Sequence, residues 1–240
     1  KSNYKKRYSE IKKFNLKNKY KKKGIAITPV KFGISFTTIH LNQAGALVHI
    51  YTDGSVHLNH GGIEMGQGTH TKIAQLVSKS FGIPYEKVQI SSTNTSKVPN
   101  TSASAASSTT DLNGAAALDA VKKIKLNLEK FIKNKYKISV KKDAVYKNEK
   151  IFIGNNNFKF NDIIQEAYLN RISLSSNGFY STPKINFNKQ KFYGRPFLYF
   201  CYGAAVTEVA IDTLTGENKI EKVDILHDAG NAINPALELG

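Results

Sequence analysis

The chain has 240 residues, of which 40% are hydrophobic, so it can bury a sizeable core and is too apolar for a disordered protein. Its formal net charge is +17, but all but three of its 35 basic residues are lysine, whereas nucleic-acid surfaces favour arginine. No apolar run approaches the roughly 20 residues of a membrane span, and the single Cys201 cannot form an intrachain disulfide. We therefore predict a protein of a reducing compartment such as the cytoplasm, without a membrane or nucleic-acid partner.

The first 23 residues form a basic segment with ten lysines and Arg7. Aromatic and apolar residues such as Tyr4, Tyr8 and Ile11 recur along it at loose helical spacing. This pattern predicts a solvated basic helix or linker over residues 1–23, with a surface for an anionic partner as the alternative. The rest of the chain, residues 24–240, is predicted to form one domain.

From residue 24 to residue 110 the pattern predicts strands, one helix and a long loop. Residues 24–36 are predicted to be extended, and alternating apolar residues around Asp53-Gly54 predict a β-hairpin. An apolar stripe then predicts a helix that ends at Gly82. A strand is predicted over residues 85–93. Small and hydroxyl residues from Asn100 to Thr110 form what we call the small-residue loop.

The longest predicted helix follows this loop, with Asp111 as its N-cap. The middle of the chain predicts short exposed strands and a short helix capped by Asn161 or Asp162. A long hairpin is predicted around Thr215-Gly216. Helices and antiparallel pairs without regular βαβ units indicate an α+β fold. The buried stripe of the longest helix is predicted to be Leu118, Val121, Ile124, Leu128 and Phe131.

The segment GGIEMGQG, residues 61–68, places four glycines around Glu64 and Gln67, and we call it the glycine loop. Its spacing lacks the third glycine of a dinucleotide motif and the Lys-Ser/Thr of a P-loop. A glycine-rich loop between strand and helix predicts bare N–H groups that face an anion or an oxo group, with Gln67 as a further amide donor. Together with the small-residue loop it predicts a large polar ligand held between two loops, with tight backbone packing as the alternative.

Four histidines lie close in sequence around the glycine loop. They are His49, His57, His60 and His70. Zinc sites usually pair such histidines more tightly and add acidic or thiolate ligands, so we do not predict a histidine metal site.

Four stretches of the sequence resemble the molybdenum-cofactor domain of the xanthine dehydrogenase/aldehyde oxidase family. They are FGISFT, LNQAGALVHIYTDGSVHLNHGGIEMGQGTHTK, VPNTSASAASSTTDLNGAAALDA and YGAAVTEVAIDTLTG. The likeness runs from about Phe14 to Gly240. It implies the mixed α+β fold of the second molybdopterin-binding part of that domain. It also implies a molybdenum–molybdopterin cofactor, with 2Fe-2S clusters, FAD and NAD in the full-length enzyme.

The resemblance assigns both loops to this cofactor. Gln67 matches the glutamine that hydrogen-bonds the cofactor close to the metal, and Gly66 and Gly68 match positions where the backbone approaches it. Ala106 matches the residue whose backbone lies against the molybdenum. The contacts implied for the pterin and its phosphate are Ser104, Ala105, Ser107, Ser108 and Thr109.

The resemblance also implies a purine pocket. Phe36 would stack on the purine ring and Thr37 would bond a polar edge. With the run Ser104-Ala105-Ala106 they favour the xanthine dehydrogenase type, which oxidises hypoxanthine and xanthine to urate, over an aldehyde oxidase. The electrons would pass through the 2Fe-2S clusters and FAD to NAD. Glu64 is expected to brace the glycine loop rather than to act as a base.

The same resemblance implies an internal fragment of a larger enzyme, with no catalytic residue in this piece and no turnover on its own. The expected partners are the purine, the iron–sulfur, FAD and first molybdenum-domain segments of the same enzyme, and a second copy in a homodimer. Three alternatives remain: a fragment of an aldehyde oxidase, a pseudogene product that does not fold and aggregates, and a non-catalytic basic protein that binds anions or nucleic acid. Steep weakening of binding by salt would identify the last of these.

Overall fold

A computed structural model describes residues 2–98 and 100–239 and confirms the α+β class. Its helices are α1 (Tyr4–Lys17), α2 (Thr69–Phe81), α3 (Thr109–Lys135), α4 (Phe160–Leu169) and α5 (Pro235–Glu238). Its strands are β1 (Lys21–Ile34), β2 (Gln43–Ile50), β3 (Val56–His60), β4 (Val88–Ile90), β5 (Val145–Lys147), β6 (Lys150–Ile153), β7 (Asn156–Lys159), β8 (Ser175–Ser181), β9 (Asn186–Asn188), β10 (Tyr193–Arg195), β11 (Tyr199–Asp212) and β12 (Asn218–Asp228).

The chain divides into two compact units, and the predicted boundary after residue 23 falls inside β1. Unit 1 comprises Lys1–Ile34 and Tyr199–Ala232. In it the antiparallel sheet β1-β11-β12 contacts the predicted N-terminal helix, α1. The Arg7 guanidinium on that helix forms ion pairs with Glu208 and Asp224 of the two hairpin strands. The hairpin predicted around Thr215-Gly216 is confirmed as β11 and β12.

Unit 2 comprises Ser35–Leu198 and Ile233–Gly240, and it contains every predicted site residue. Its main sheet has the order β4-β3-β2-β8, with the hairpin predicted at Asp53-Gly54 as β2 and β3. Helices α2 and α3 contact each other, and α3 packs on β2 and β8. The buried face of this sheet and the two helices enclose a core that includes Val48, Leu58, Ile73, Phe81 and Ile124.

One connection in unit 2 was not predicted. Strands β3 and β4 pair in parallel, and α2 lies between them in sequence, so they form a single βαβ crossover. It is hard to predict because β4 is only three residues long. This crossover places the glycine loop at the carboxyl end of β3 and at the N-terminus of α2.

Three helix details were predicted wrongly. Helix α3 begins at Thr109, so its N-cap is Ser108 and Asp111 lies in its first turn. There a carboxylate is favourable because of the helix dipole rather than as a cap. The N-cap of α4 is Lys159, so the two residues predicted as its cap lie inside the helix. Leu118 is exposed, because α3 turns its small residues, among them Ala116 and Ala120, towards β8.

Candidate cofactor-binding site

The first two residues of the glycine loop have no room for a side chain, because another part of the chain packs against them. A Cβ atom at Gly61 would lie 1.9 Å from Oγ1 of Thr101, and one at Gly62 would lie 2.9 Å from Cγ2 of Thr109. Both neighbours belong to the small-residue loop. Two of the four glycines therefore allow the two loops to pack closely against each other. Such packing was the predicted alternative to ligand binding.

The other two glycines adopt backbone angles that favour glycine. Gly66 has φ +99° and Gly68 has φ +77°. A Cβ atom at Gly66 would have no protein atom within 4 Å, so the backbone here faces open space. Gly68 is the N-cap of α2, and a Cβ atom there would meet Cδ1 of Leu237 at 2.8 Å.

Hydrogen bonds connect the two loops directly. The backbone N–H of Ile63 donates to Oγ of Ser104 at 2.8 Å. The N–H of Gly61 donates to Oδ1 of Asn113, whose own Nδ2 donates to the carbonyl of Thr109. Asn113 is buried on α3 and was not predicted. The structure thus brings the two predicted loops together at the starts of α2 and α3.

The Gln67 side chain is held by its own loop. Its Oε1 accepts from the N–H of Met65 at 2.6 Å, and its Nε2 donates to the carbonyl of Ile63 at 2.8 Å. These two partners fix which end of the amide is oxygen and which is nitrogen. One N–H of the amide and one lone pair of Oε1 remain for a ligand. Gln67 is exposed, so a ligand can reach both.

Glu64 supplies the anion at the N-terminus of α2. Its Oε1 accepts from the N–H groups of Gly66 and Gly68, and its Oε2 accepts from the N–H of His70, each at 2.9 Å. The bracing role expected for Glu64 is confirmed. The prediction that these N–H groups face an external anion is wrong for Gly66, Gly68 and His70, because the carboxylate of the chain itself occupies them.

The electrostatics of this carboxylate follow from its contacts. Burial raises the pKa of Glu64, but the hydrogen bonds from the N–H groups of His70, Gly68 and Gly66 outweigh it, so that the pKa is lowered. Glu64 is therefore ionised at neutral pH. Its negative charge also lies where the helix dipole of α2 favours an anion.

Two histidines, His60 and His70, lie next to the glycine loop. His60 is 2% exposed, its Nδ1 accepts from the N–H of Gly62 at 3.1 Å, and its ring lies edge-on to that of His70 with centroids 4.9 Å apart. Burial lowers the pKa of His60 to about 4, helped by the nearby His70 and opposed by Glu64. His60 is thus neutral, with its proton on Nε2, for which no partner is found in the described residues.

In the small-residue loop, backbone strain falls on residues other than glycine. Ala106 has φ +54° and Ser107 has φ +53°, a backbone conformation that residues other than glycine rarely adopt. The loop then closes into α3 through Ser108, whose N–H and Oγ both donate to the carbonyl of Ala105. Thr109 is the first residue of α3.

The predicted purine residues follow β1. Phe36 is half-buried and Thr37 is exposed. Asn42 holds the backbone of Phe36 on both sides, since its Oδ1 accepts from the N–H and its Nδ2 donates to the carbonyl. The preceding Ser35 is buried with φ +135°. The backbone of Phe36 is therefore held in this position by hydrogen bonds to Asn42.

Sequence reasoning missed the residues that act through backbone contacts. Asn42 and Asn113 are buried asparagines. Oγ1 of Thr93 has one hydrogen to donate and lies 2.8 Å from the carbonyl of Gly62 and 3.1 Å from that of His60. None of them lies in a local pattern that predicts such a bond. Only the buried state of a polar side chain could have pointed to them, and burial is not visible in one sequence.

Other features lie apart from the two loops. A cavity of about 610 Å³ at the C-terminal end of α3 is lined by residues that include Lys130, Phe131 and Arg171, and by none of the predicted site residues. Within residues 2–98 and 100–239, no group of three or more His, Cys, Asp or Glu side chains is placed to hold a metal ion. Across the same residues, no helix has the length and apolar character needed to span a bilayer.

Comparison with known proteins shows what the chain is similar to. The chain is 47% identical to xanthine dehydrogenase/oxidase of Felis catus over 239 residues, 48% identical to that of Gallus gallus over 239 residues, and 47% identical to xanthine dehydrogenase of Oryza sativa over 227 residues. These alignments cover 95–100% of this chain and only 15–16% of each relative.

Solved structures share the fold. The CO dehydrogenase from Oligotropha carboxidovorans matches with a TM-score of 0.77 and 21% identity, over 98% of this chain and 30% of that one. The aldehyde oxidoreductase from Desulfovibrio desulfuricans matches with a TM-score of 0.72 and 22% identity, over 97% of this chain and 23% of that one. The model of the molybdopterin cofactor-binding domain matches residues 1–240. The chain therefore belongs to the molybdopterin cofactor-binding domain family.

Proposed function

We propose that this chain is the second molybdopterin-binding part of a xanthine dehydrogenase-type molybdenum hydroxylase. The observation that carries the proposal is the junction of the two loops through Ile63 and Ser104, with the Gln67 amide held beside it. The relatives at 47–48% identity support the enzyme type. Because the chain spans 16% of those relatives, the remaining segments would supply the 2Fe-2S clusters, FAD and NAD.

The residues present fit such a cofactor. Gly66 offers bare backbone to open space, and Gln67 retains one N–H for a ligand atom. The small side chains of Ala105, Ala106 and Ser107 allow a ligand to lie close to the backbone of the second loop. When bound, the cofactor supplies the two-electron oxidation of an electron-poor ring carbon. The part of this chain is then to bind, to orient and to exclude water.

Most of the predicted side chains have a defined task in this proposal, while Gly66, Gly68 and Ala105 act through their small size. Gln67 donates its remaining N–H to the cofactor, and Ala106 presents its backbone to the metal side. Ser104, Ser107, Ser108 and Thr109 bond the pterin and its phosphate at the start of α3, where the helix dipole favours an anion. Phe36 stacks on the purine and Thr37 bonds its polar edge. No residue of this chain is proposed as the base.

The proposal extends to the oligomeric state, location and substrates of the whole enzyme. We infer that the whole enzyme is a homodimer that works in the cytoplasm or the peroxisome on hypoxanthine and xanthine. Its NAD-linked acceptor reaction would take place in the segments outside this chain. An aldehyde oxidase would share the cofactor contacts and differ at Phe36 and Thr37, so the substrate assay must include an aldehyde.

The test uses the longest natural protein that contains this chain. Molybdenum content and the reduction of NAD with xanthine or with an aromatic aldehyde are measured for the wild type and for Gln67→Ala. We expect metal, xanthine-dependent turnover, and a loss of about 10- to 100-fold in Gln67→Ala. Gln89→Ala, which removes an exposed glutamine side chain from β4, is the matched control and should change neither. Folded wild-type protein without molybdenum would refute the proposal, and turnover of the aldehyde alone would favour an aldehyde oxidase.

A further inference from the structure

Glu64 and Gln67 hold the glycine loop by reciprocal contacts. The Gln67 amide bonds Ile63 and Met65, the two neighbours of Glu64 in sequence. The Glu64 carboxylate bonds Gly66 and Gly68, the two neighbours of Gln67. Each side chain therefore fixes the backbone on both sides of the other. A third bond, from the N–H of His70, ties this arrangement to the first turn of α2.

We propose that Glu64 is a positioning residue that sets the Gln67 amide in place before the cofactor binds. The carboxylate satisfies three N–H groups that α2 and its preceding loop would otherwise leave open, and it supplies the negative charge that a helix N-terminus favours. Charge-assisted bonds of this kind are stronger than neutral ones. Glu64 itself needs no contact with cofactor or substrate for this role.

The arrangement has a consequence for anion binding. In related loops at the start of a helix, an external anion takes up such N–H groups. Here the internal carboxylate already fills that place, so the phosphate of a cofactor is excluded from the N-terminus of α2. Removing the carboxylate should open this place to a small carboxylate from solution. Acetate is the part of the Glu64 side chain beyond Cβ, so it fits the space that Glu64→Ala leaves.

The first experiment uses the natural full-length protein in its cofactor-free form. Hydrogen exchange followed by mass spectrometry reports the amides of residues 65–70 in the wild type and in Glu64→Ala. We expect exchange at least tenfold faster in the variant, and recovery towards the wild-type rate in acetate but not in chloride at equal ionic strength. Glu86→Ala removes an exposed carboxylate from the turn at Tyr85–Lys87 and should change nothing. Unchanged exchange in Glu64→Ala, or a loss that acetate does not reverse, would overturn the proposal.

The second experiment tests the link to Gln67, which rests on the proposed function. Molybdenum content and turnover are compared in Glu64→Ala, Gln67→Ala and the double variant. We expect about a tenfold loss in Glu64→Ala, partly restored in acetate, and little further loss when Glu64→Ala is added to Gln67→Ala. Independent, multiplying losses would refute the positioning role. If the wild type holds no molybdenum, the proposed function fails while the exchange experiment still decides the role of Glu64.

Glu64→Gln keeps the inference testable if Glu64→Ala does not fold. The amide oxygen can still accept from Gly66 and Gly68, but the amide nitrogen then faces the N–H of His70, and two donors oppose each other. We expect intermediate exchange, with the loss largest at His70. Exchange equal to that of the wild type at all three amides would show that the ionised carboxylate is not needed.

Discussion

The glycine loop and the small-residue loop meet at the same place but keep their shapes by different means. In the glycine loop the positive φ angles fall on Gly66 and Gly68, and the side chains of Glu64 and Gln67 satisfy the backbone. In the small-residue loop the positive φ angles fall on Asn100, Ala106 and Ser107. Asparagine tolerates this conformation, whereas Ala106 and Ser107 adopt it at a cost. The first loop is relaxed and internally bonded, whereas the second stores strain.

The difference indicates how each loop would serve a cofactor. A loop fixed by its own side chains presents a side-chain amide in a set direction. A strained loop persists only where the surrounding structure imposes it, and such strain is often found at functional sites. The first loop constrains the second directly through the bond from Ile63 to Ser104. It also does so through Asn113 of α3, which accepts from Gly61 and donates to Thr109. If the two loops are held by different means, acid and single substitutions should disturb them to different extents.

Acid should open the glycine loop before the small-residue loop, which has no titratable side chain between Asn100 and Thr110. The pKa of His60 is lowered from 6.5 to about 4, so the unfolded chain binds the proton more readily than the folded one. Stability is therefore full above pH 6.5 and falls as the pH drops to 4, by about 3 kcal/mol. Protonation would also break the bond from Gly62 to Nδ1.

Hydrogen exchange of residues 60–68 between pH 7 and pH 4, corrected for the intrinsic pH dependence of exchange, measures this loss. The variant His60→Asn should lower stability at pH 7 and remove the part of the pH dependence that lies above pH 4.5. Below that pH the ionised Glu64, whose pKa is also lowered, still contributes. The exposed His40→Asn is the control. A wild-type loop whose opening free energy does not change across this range would contradict the neutral, buried state of His60.

Gly61→Ala should separate the two loops. The new Cβ would collide with Thr101, whose Oγ1, Cγ2 and Cβ lie within 2.5 Å of it. Overpacking of this kind costs about 2 kcal/mol, and we expect faster exchange in both loops together. Thr101→Gly removes all three colliding atoms and should restore most of the loss, whereas Thr101→Ala keeps the Cβ and should restore less. Equal exchange in Gly61→Ala and the wild type would show that the loops are not packed at this point.

Gly66→Ala should destabilise the glycine loop without a collision. No protein atom lies within 4 Å of the new Cβ, so the cost comes only from φ +99° and amounts to about 1 kcal/mol. Exchange at residues 65–68 should rise while residues 100–108 stay unchanged. A disturbance that reaches the small-residue loop would mean that the strain is shared between the loops. Gly216→Ala, also at positive φ in open space, is the matched control in unit 1.

Ala106→Gly should have the smallest effect and the opposite sign. Glycine removes the strain of φ +54° but adds conformational freedom to the unfolded chain, so the net gain is about 0.5 kcal/mol. Slower exchange in the small-residue loop would measure it. Ala103→Gly is the control in the same loop, and it should be destabilising because its φ is not positive. Destabilisation by both variants would show that Ala106 is not strained.

Much of the fold could be predicted from local pattern. The period of apolar residues gave the hairpins at Asp53-Gly54 and Thr215-Gly216, and the helix end at Gly82, because periodicity and turn chemistry act over a few residues. Helix starts were less certain. Asp111 lies two residues inside α3. The N-cap, Ser108, makes no side-chain bond to the N–H groups of the helix, so no capping pattern in the sequence indicates it.

The two loops, their small side chains and their resemblance to one family could be identified from residue identity and spacing alone. The three-dimensional contacts were needed to show which glycines allow close packing and which adopt a positive φ angle, and that Glu64 already occupies the N–H groups of α2. It also decided that Asn42 holds Phe36 and that Asn113 holds Gly61. The physical reason is that these contacts join residues up to 52 positions apart, and burial alone makes an unpaired polar group there costly.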